Sequence, residues 1–172
     1  AEDGLRVGGS GVNQDGRSAS MSAPNGPSQV ELLQQVGRQA AACRMRQCSE
    51  THGTGTALGD PIEVRALRAV LELTESMCHT VLGALKSRLG HTEGAAGVMG
   101  LLKAVQVLAQ ECPLPNLHLQ QANPKMELDG FAVVLTSGMV ALDRSRLAES
   151  GVSSFGMSGT NAHAIVAGPS AA

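Results

Sequence analysis

Residues 79–110 read HTVLGALKSRLGHTEGAAGVMGLLKAVQVLAQ, and the change of rhythm inside them decides the fold. HTVLGALK is a short run of apolar and β-branched residues that reads as a strand ending at a lysine. After Ser87-Arg88-Leu89-Gly90 the pattern becomes that of a helix opening at His91, in which only Lys103, Gln106 and Gln110 form a polar stripe. Gly94, Gly97 and Gly100 leave room for a neighbour to press against its first turns. Such a helix is largely buried. A histidine beside an apolar run is most often a satisfied core residue, so His91 gains a functional reading only from the company it keeps.

The alternation of strand and helix continues in both directions. Near the N-terminus LRVGGSGVN reads as a strand, followed by a loop containing Asn13, Asp15, Gly16, Pro24, Asn25 and Gly26. Pro27-Ser28 opens a helix over 27–42, and 44–51 reads as a strand. Asp60-Pro61-Ile62-Glu63 is a helix start, with Asp60 as N-cap, Pro61 at the first helical position and Glu63 three residues after the cap. Pro113 and Pro115 end the long helix, FAVVLTSGMVAL (131–142) suggests a hairpin or bent strand pair, and GVSSFGMSGTNAHAIVAG (151–168) reads as strand, glycine-rich turn and strand. Strands alternating with helices predict an α/β layered fold.

The chain has 172 residues, enough for one domain, and the core must be built without Trp or Tyr and with two Phe. Ala, Val, Leu, Met and the 21 Gly have to fill it, which implies close backbone packing. The formal net charge of −2, with both signs interspersed, offers no basic stripe for nucleic-acid phosphates. With no signal peptide and no apolar stretch free of polar residues, the chain reads as having no membrane span and as intracellular, in the cytoplasm. Cys43, Cys48, Cys78 and Cys112 form no C-x-x-C pair, so no metal site is expected and the thiols read as free and structural.

HGTGTALGD invites comparison with a dinucleotide fingerprint, but Gly53, Gly55 and Gly59 are spaced one residue too widely, and GALKS lacks the glycine directly before Lys86 that a P-loop needs. What remains is a pattern of position. His52 follows one strand, His91 lies five residues after Lys86 at the end of another, and each leads through a small-residue turn into a buried helix. In a layered α/β fold such strand ends can converge on one pocket. At the N-terminus of its helix, His91 would be held neutral by the dipole. Two neutral imidazole donors aimed at one point suit a developing oxyanion or enolate.

The segments GVNQDGRS, SAPNGPSQ, ETHGTGTALGDPIEVRAL, GALKSRLGHTEGAAGVMGLLKA and GVSSFGMSGTNAHAIV, in this order and at these intervals, resemble the C-terminal half of the β-ketoacyl synthase domain of modular type I polyketide synthases and related fatty-acid synthases. The resemblance spans nearly the whole chain. It implies a thiolase-like layered α-β-α-β-α fold represented mainly by its C-terminal half, with residues 1–26 the end of the N-terminal half and 27–172 the C-terminal half. It also implies a homodimer in the full domain and decarboxylative Claisen condensation of an acyl thioester with malonyl-carrier protein. His52 and His91 match the family's enolate-stabilising pair, and Lys86 matches its lysine. Thr54 and Thr56 match the binders of the phosphopantetheine arm, Phe155 and Met157 a gating turn, and the Met157 N–H an oxyanion donor. No cofactor is expected on the chain itself, since substrates arrive on the phosphopantetheine of an acyl carrier protein.

The chain departs from the family pattern in two places. The family nucleophile lies in a T-A-C-S-S-like elbow, which none of AACRM, RQCSE, SMCHT and QECPL resembles, so the catalytic Cys is absent from this chain and the N-terminal ketosynthase half is an implied partner. Arg88 stands where the family has Asn, two residues from Lys86. These departures leave an alternative reading, a noncatalytic partner or scaffold subunit of a condensing enzyme.

Overall fold

Val81 and Leu82 are neighbours on one strand, β3 (Thr80–Gly83), and they enter opposite cores. Leu82 packs with Leu33 of α1 (Gly26–Gln39) and with Val64, Leu67 and Val70 of α2 (Gly59–Leu71). Val81 packs with Cys48 of β2 (Arg46–Glu50) and Val107 of α4 (Ala96–Gln110). Successive strand residues point to opposite faces, so α1 and α2 cover one side of the sheet and α4 the other. This computed structural model describes residues 4–17, 23–40, 46–73, 79–140 and 149–168.

Among the described residues, six strands form one mixed sheet in the order β1-β6-β5-β2-β3-β4. β1 (Arg6–Gln14) runs antiparallel to β6 (Thr160–Ala167), and β6 antiparallel to β5 (Glu149–Phe155). β5, β2, β3 and β4 (Val133–Leu135) are parallel. The C-terminal ends of β2, β3 and β5 therefore lie at the same end of the sheet, which is where an α/β sheet binds ligands. The α/β reading is upheld.

Several local expectations are corrected. The start of α1 follows the sequence: Asn25 caps it, accepting from Ser28 N at 3.3 Å, with Pro27 in the first turn. Asp60 does not cap α2, which begins at Gly59 with no side-chain cap; its carboxylate instead accepts from Gly55 N at 3.0 Å. Residues 131–140 form no hairpin among the described residues: β4 is three residues long and adds in parallel to the sheet edge, and residues 141–142 lie outside the described residues. The strand expected to reach Lys86 stops at Gly83, and Lys86 opens a four-residue helix, α3 (Lys86–Leu89).

The largest correction concerns α4. Gly97 and Gly100 meet Ser154 and Val152 of β5 as expected, but Lys103 sits on the buried face, paired with Glu50 at 2.5 Å. The outward face carries Val98 and Leu102, 60% and 53% exposed, with Gln106 and Gln110. A buried carboxylate beneath the helix draws the lysine inward, and the apolar residues are left outside. Leu89, Met157 and Val12 add further exposed apolar surface. At about 25 cal/mol per Å², a few hundred Å² of such surface left in water forgoes on the order of 10 kcal/mol, comparable to a domain's whole stability. The isolated chain is expected to self-associate and to bind hydrophobic dye. Light scattering and dye fluorescence check this, and a monodisperse, dye-silent monomer contradicts it.

Candidate active site

Beyond β2 the chain enters the turn 51–58, and buried carboxylates hold its backbone. Glu63 of α2, 3% exposed, accepts from His52 N at 2.7 Å and from Gly53 N at 2.9 Å. Burial pushes its carboxyl up to about 7, against the downward pull of the Gly53 and His52 N–H groups. Gly53 is required here: its φ is +47°, and a Cβ would stand 2.6 Å from Thr51 Oγ1 and 2.8 Å from Ala84 Cβ. Thr51 is tied back to β3 through Gly83 O at 2.9 Å. Further along the turn, the Thr54 and Thr56 hydroxyls lie 3.2 Å apart, and Thr56 Oγ1 accepts from Gly59 N at 3.0 Å.

His52, His91, Thr54, Thr56, Phe155 and Met157 line one cavity of about 400 Å³. The His52 and His91 rings meet edge to face with centroids 5.5 Å apart, and Phe155 lies 5.8 Å from His52. Burial first, then the charges of Lys86 and His91, pulls His52 down from 6.5 to about 4, so its ring is neutral near pH 7. His91 does not open the long helix. A 3-10 turn, Glu93–Ala95, comes first and α4 begins only at Ala96, beyond the reach of a dipole that fades within a turn. The ring is instead oriented by its own backbone: Nδ1 accepts from Glu93 N at 3.0 Å. In the neutral ring that leaves the proton on Nε2. The exposed Met157 sits in a turn whose Gly156 N–H and Gly159 N–H are bonded to Thr160 O and Gly156 O.

Lys86 is not brought into this cavity. It lines a neighbouring one of about 380 Å³, and Thr54 and Glu63 border both. Burial lowers the Lys86 ammonium, and Glu63, Glu50 and Asp60 oppose that fall. Arg88 points away from it, donating to Pro115 O at 3.0 Å. Four polar wall residues of the histidine cavity carried no role in the sequence: Asp15, Gln29, Glu63 and Asn161. Asn161 Nδ2 donates to Asp15 at 2.6 Å, which joins the end of β1 to β6. Asp15 and Asn161 stand inside the NQDG and GTNAH segments, so the signal was present; what was missing was the antiparallel pairing that brings them together.

The family model described as β-ketoacyl synthase, C-terminal domain, matches residues 5–120. The chain belongs to this family. Polyketide synthase GfsE of Streptomyces halstedii is 44% identical over 164 residues, covering 92% of the chain and 4% of that protein. Mycoketide-CoA synthase of Mycobacterium tuberculosis is 44% identical over 165 residues, again with 92% and 4% coverage. Among solved structures, the ketosynthase from module 6 of the bacillaene synthase of Bacillus subtilis superposes with a TM-score of 0.87 at 31% identity, covering 96% of the chain and 31% of its own. The module 1 ketosynthase of Bacillus amyloliquefaciens gives 0.88 and 35%, with 96% and 32% coverage. The chain thus spans about a third of these ketosynthases and a few per cent of the polyketide synthases. The family is one of condensing, acyl-transferring enzymes, and these neighbours share the thiolase-like layered fold.

Within this ketosynthase chain no described group of three or more His, Cys, Asp or Glu side chains could hold a metal, and no described helix is long and apolar enough to cross a membrane. Cys48 is buried in the sheet, and burial pushes its thiol up to about 12, far from the thiolate a nucleophile needs. Cys43 and Cys78 lie outside the described residues. Incubated with an acyl-CoA near neutral pH, Cys48 is expected to stay unmodified in intact-mass and peptide analysis; stoichiometric acylation there contradicts this. His52 is expected to titrate near 4 by NMR rather than near 6.5. Because the unfolded ring takes a proton that the folded ring refuses, the stability due to His52 is complete above about 6.5 and is lost as pH falls toward 4.

Proposed function

We propose that the chain supplies the enolate-stabilising half of a ketosynthase that condenses an acyl thioester with malonyl-carrier protein by decarboxylation. The observation that carries this reading is the pair of imidazoles 5.5 Å apart on one cavity wall, His52 neutral by burial and His91 oriented by Glu93 N–H at its Nδ1, which leaves Nε2 as its donor. As the bond to the malonyl carboxylate breaks, CO₂ leaves and the electron pair moves onto the thioester oxygen as an enolate. Imidazole N–H donors stabilise that oxygen by hydrogen-bonding the negative charge as it develops. The enolate carbon then attacks an acyl thioester on a cysteine outside this chain, and the thiolate departs.

In this reading Thr54 and Thr56 hydrogen-bond the amides of the phosphopantetheine arm of an acyl carrier protein, and Phe155 and Met157 gate its approach. The Met157 N–H receives the oxyanion of the acyl thioester, and Lys86 acts from behind the His52 turn through its charge. Residues 1–26 complete the N-terminal half, 27–172 form the C-terminal half, and the full domain is a homodimer. The rival scaffold reading draws on the absent catalytic Cys and on Arg88 as a second cation near Lys86; the Arg88 guanidinium is engaged by Pro115 O, and the Cys is assigned to the N-terminal half.

In the ketosynthase domain that contains the chain, His52→Ala and His91→Ala are each expected to slow malonyl decarboxylation by about 10²-fold or more, the loss typical of one oxyanion donor. Acyl loading should change far less. Normal decarboxylation in both variants, with loading lost, would assign the pair to the other half-reaction.

A further inference from the structure

Glu50 is the last residue of β2, two positions before His52, and its carboxylate is 5% exposed. One oxygen accepts from Leu85 N at 2.5 Å, immediately before Lys86, and the other binds Lys103 Nζ of α4 at 2.5 Å. The pair therefore spans three elements: the strand end that leads to His52, the turn that presents Lys86 and continues to His91, and the helix behind both. Gly83 makes the passage possible, since a Cβ there would stand 2.7 Å from Lys103 Nζ and 2.8 Å from Glu50 Oε2. Gly100 lies against the same side chain, its Cβ position 3.4 Å from Glu50 Cγ.

We infer that the buried side chain of Glu50, its charge balanced by Lys103, is a positioning device for the condensing site, fixing through its acceptor for Leu85 N the separation between the His52 strand end and the turn that carries Lys86 and leads to His91. The inference rests on the assignment of His52, His91 and Lys86 proposed above. Lys103 does not reach either cavity; it balances the buried charge of Glu50, and Glu50 holds the turn. The second asparagine-based clamp on that turn, Asn116 Oδ1 to Ala84 N at 2.7 Å and Nδ2 to Leu82 O at 2.9 Å, holds it against the 113–117 segment but not against β2. Only Glu50, among the described side chains, hydrogen-bonds across from β2 to the residue before Lys86. Its charge also reaches Lys86, where it opposes the effect of burial.

A buried ion pair replaced by apolar residues of similar volume is often neutral for stability, whereas removal of one partner is not. Two double variants of the intact ketosynthase domain exploit this. Glu50→Gln/Lys103→Met keeps an acceptor for Leu85 N, and Glu50→Leu/Lys103→Met removes it. With equal unfolding midpoints, the Leu variant is expected to lose between about tenfold and 10²-fold in kcat for malonyl decarboxylation, as for a reacting group displaced by up to an ångström. Its KM should change little, and the Gln variant should stay within about threefold of the parent. Equal kcat in the two doubles, or losses that track only the unfolding midpoint, overturns the inference. Gly83→Ala, which forces both ionic groups to shift without removing either, is an independent arm if the Leu variant does not fold: it should lower kcat, and parental kcat in folded Gly83→Ala overturns the inference. His52→Ala and His91→Ala run alongside separate the two readings. Loss in these with parental Leu-variant activity defeats the positioning role alone; parental activity in both histidine variants defeats the site assignment.

Discussion

The carboxylate of Glu63, buried against the backbone N–H groups of His52 and Gly53, is the contact on which the site depends. It comes from α2, one turn in from its start at Gly59, and it reaches back across the turn to the residues that follow β2. Asp60 repeats the device one step further on, at Gly55 N. A helix start that would ordinarily use its acidic residues on its own free N–H groups lends them instead to the preceding loop. The turn is thereby fixed by groups that cannot follow a substrate, so His52 presents its ring from a rigid support.

The same arrangement sets the charges. Glu50, Glu63 and Asp60 crowd around the turn, and Lys86 is the cation that burial works against and these carboxylates sustain. His52, on the other side of the turn, feels Lys86 as a reason to remain neutral. A cation placed in the adjacent cavity rather than beside the imidazoles can thus keep a donor uncharged without competing for the oxyanion. His91 is oriented through the N–H of Glu93, whose φ of +48° is unusual for a residue with a side chain.

The strand and helix order was legible because hydrophobic rhythm survives in HTVLGALK and in the glycine-led helix after it. The convergence of His52 and His91 was legible because each follows a strand whose C-terminal end faces the same way, whereas Thr54, Thr56, Phe155 and Met157, which line the same cavity, were named only through the family resemblance. The orientation of Lys103 was not, because a period of 3.6 residues assigns charged positions to water, and only the neighbouring strand reveals a buried carboxylate waiting beneath. The displacement of Lys86 to a second cavity was hidden likewise: adjacency in sequence to Gly83 does not say on which side of the His52 turn a side chain emerges. Asp60 misled because its spacing satisfies a capping pattern that Gly55 had already claimed.

The strand order also dictates when the site can exist during synthesis. β2, which leads to His52, has β5 as one neighbour, and β1 has β6 as its partner, so earlier strands wait for later ones. Arg6 pairs with Ala167, and Asp15 reaches its Asn161 contact only after the intervening residues have been made. While β5 and β6 are still on the ribosome, β1 lacks its strand partner and one edge of β2 is open, and α4 lacks the strand against which its glycines pack. Until β5 and β6 have emerged, that β2 edge presents unpaired backbone groups, the kind of edge that favours misassembly.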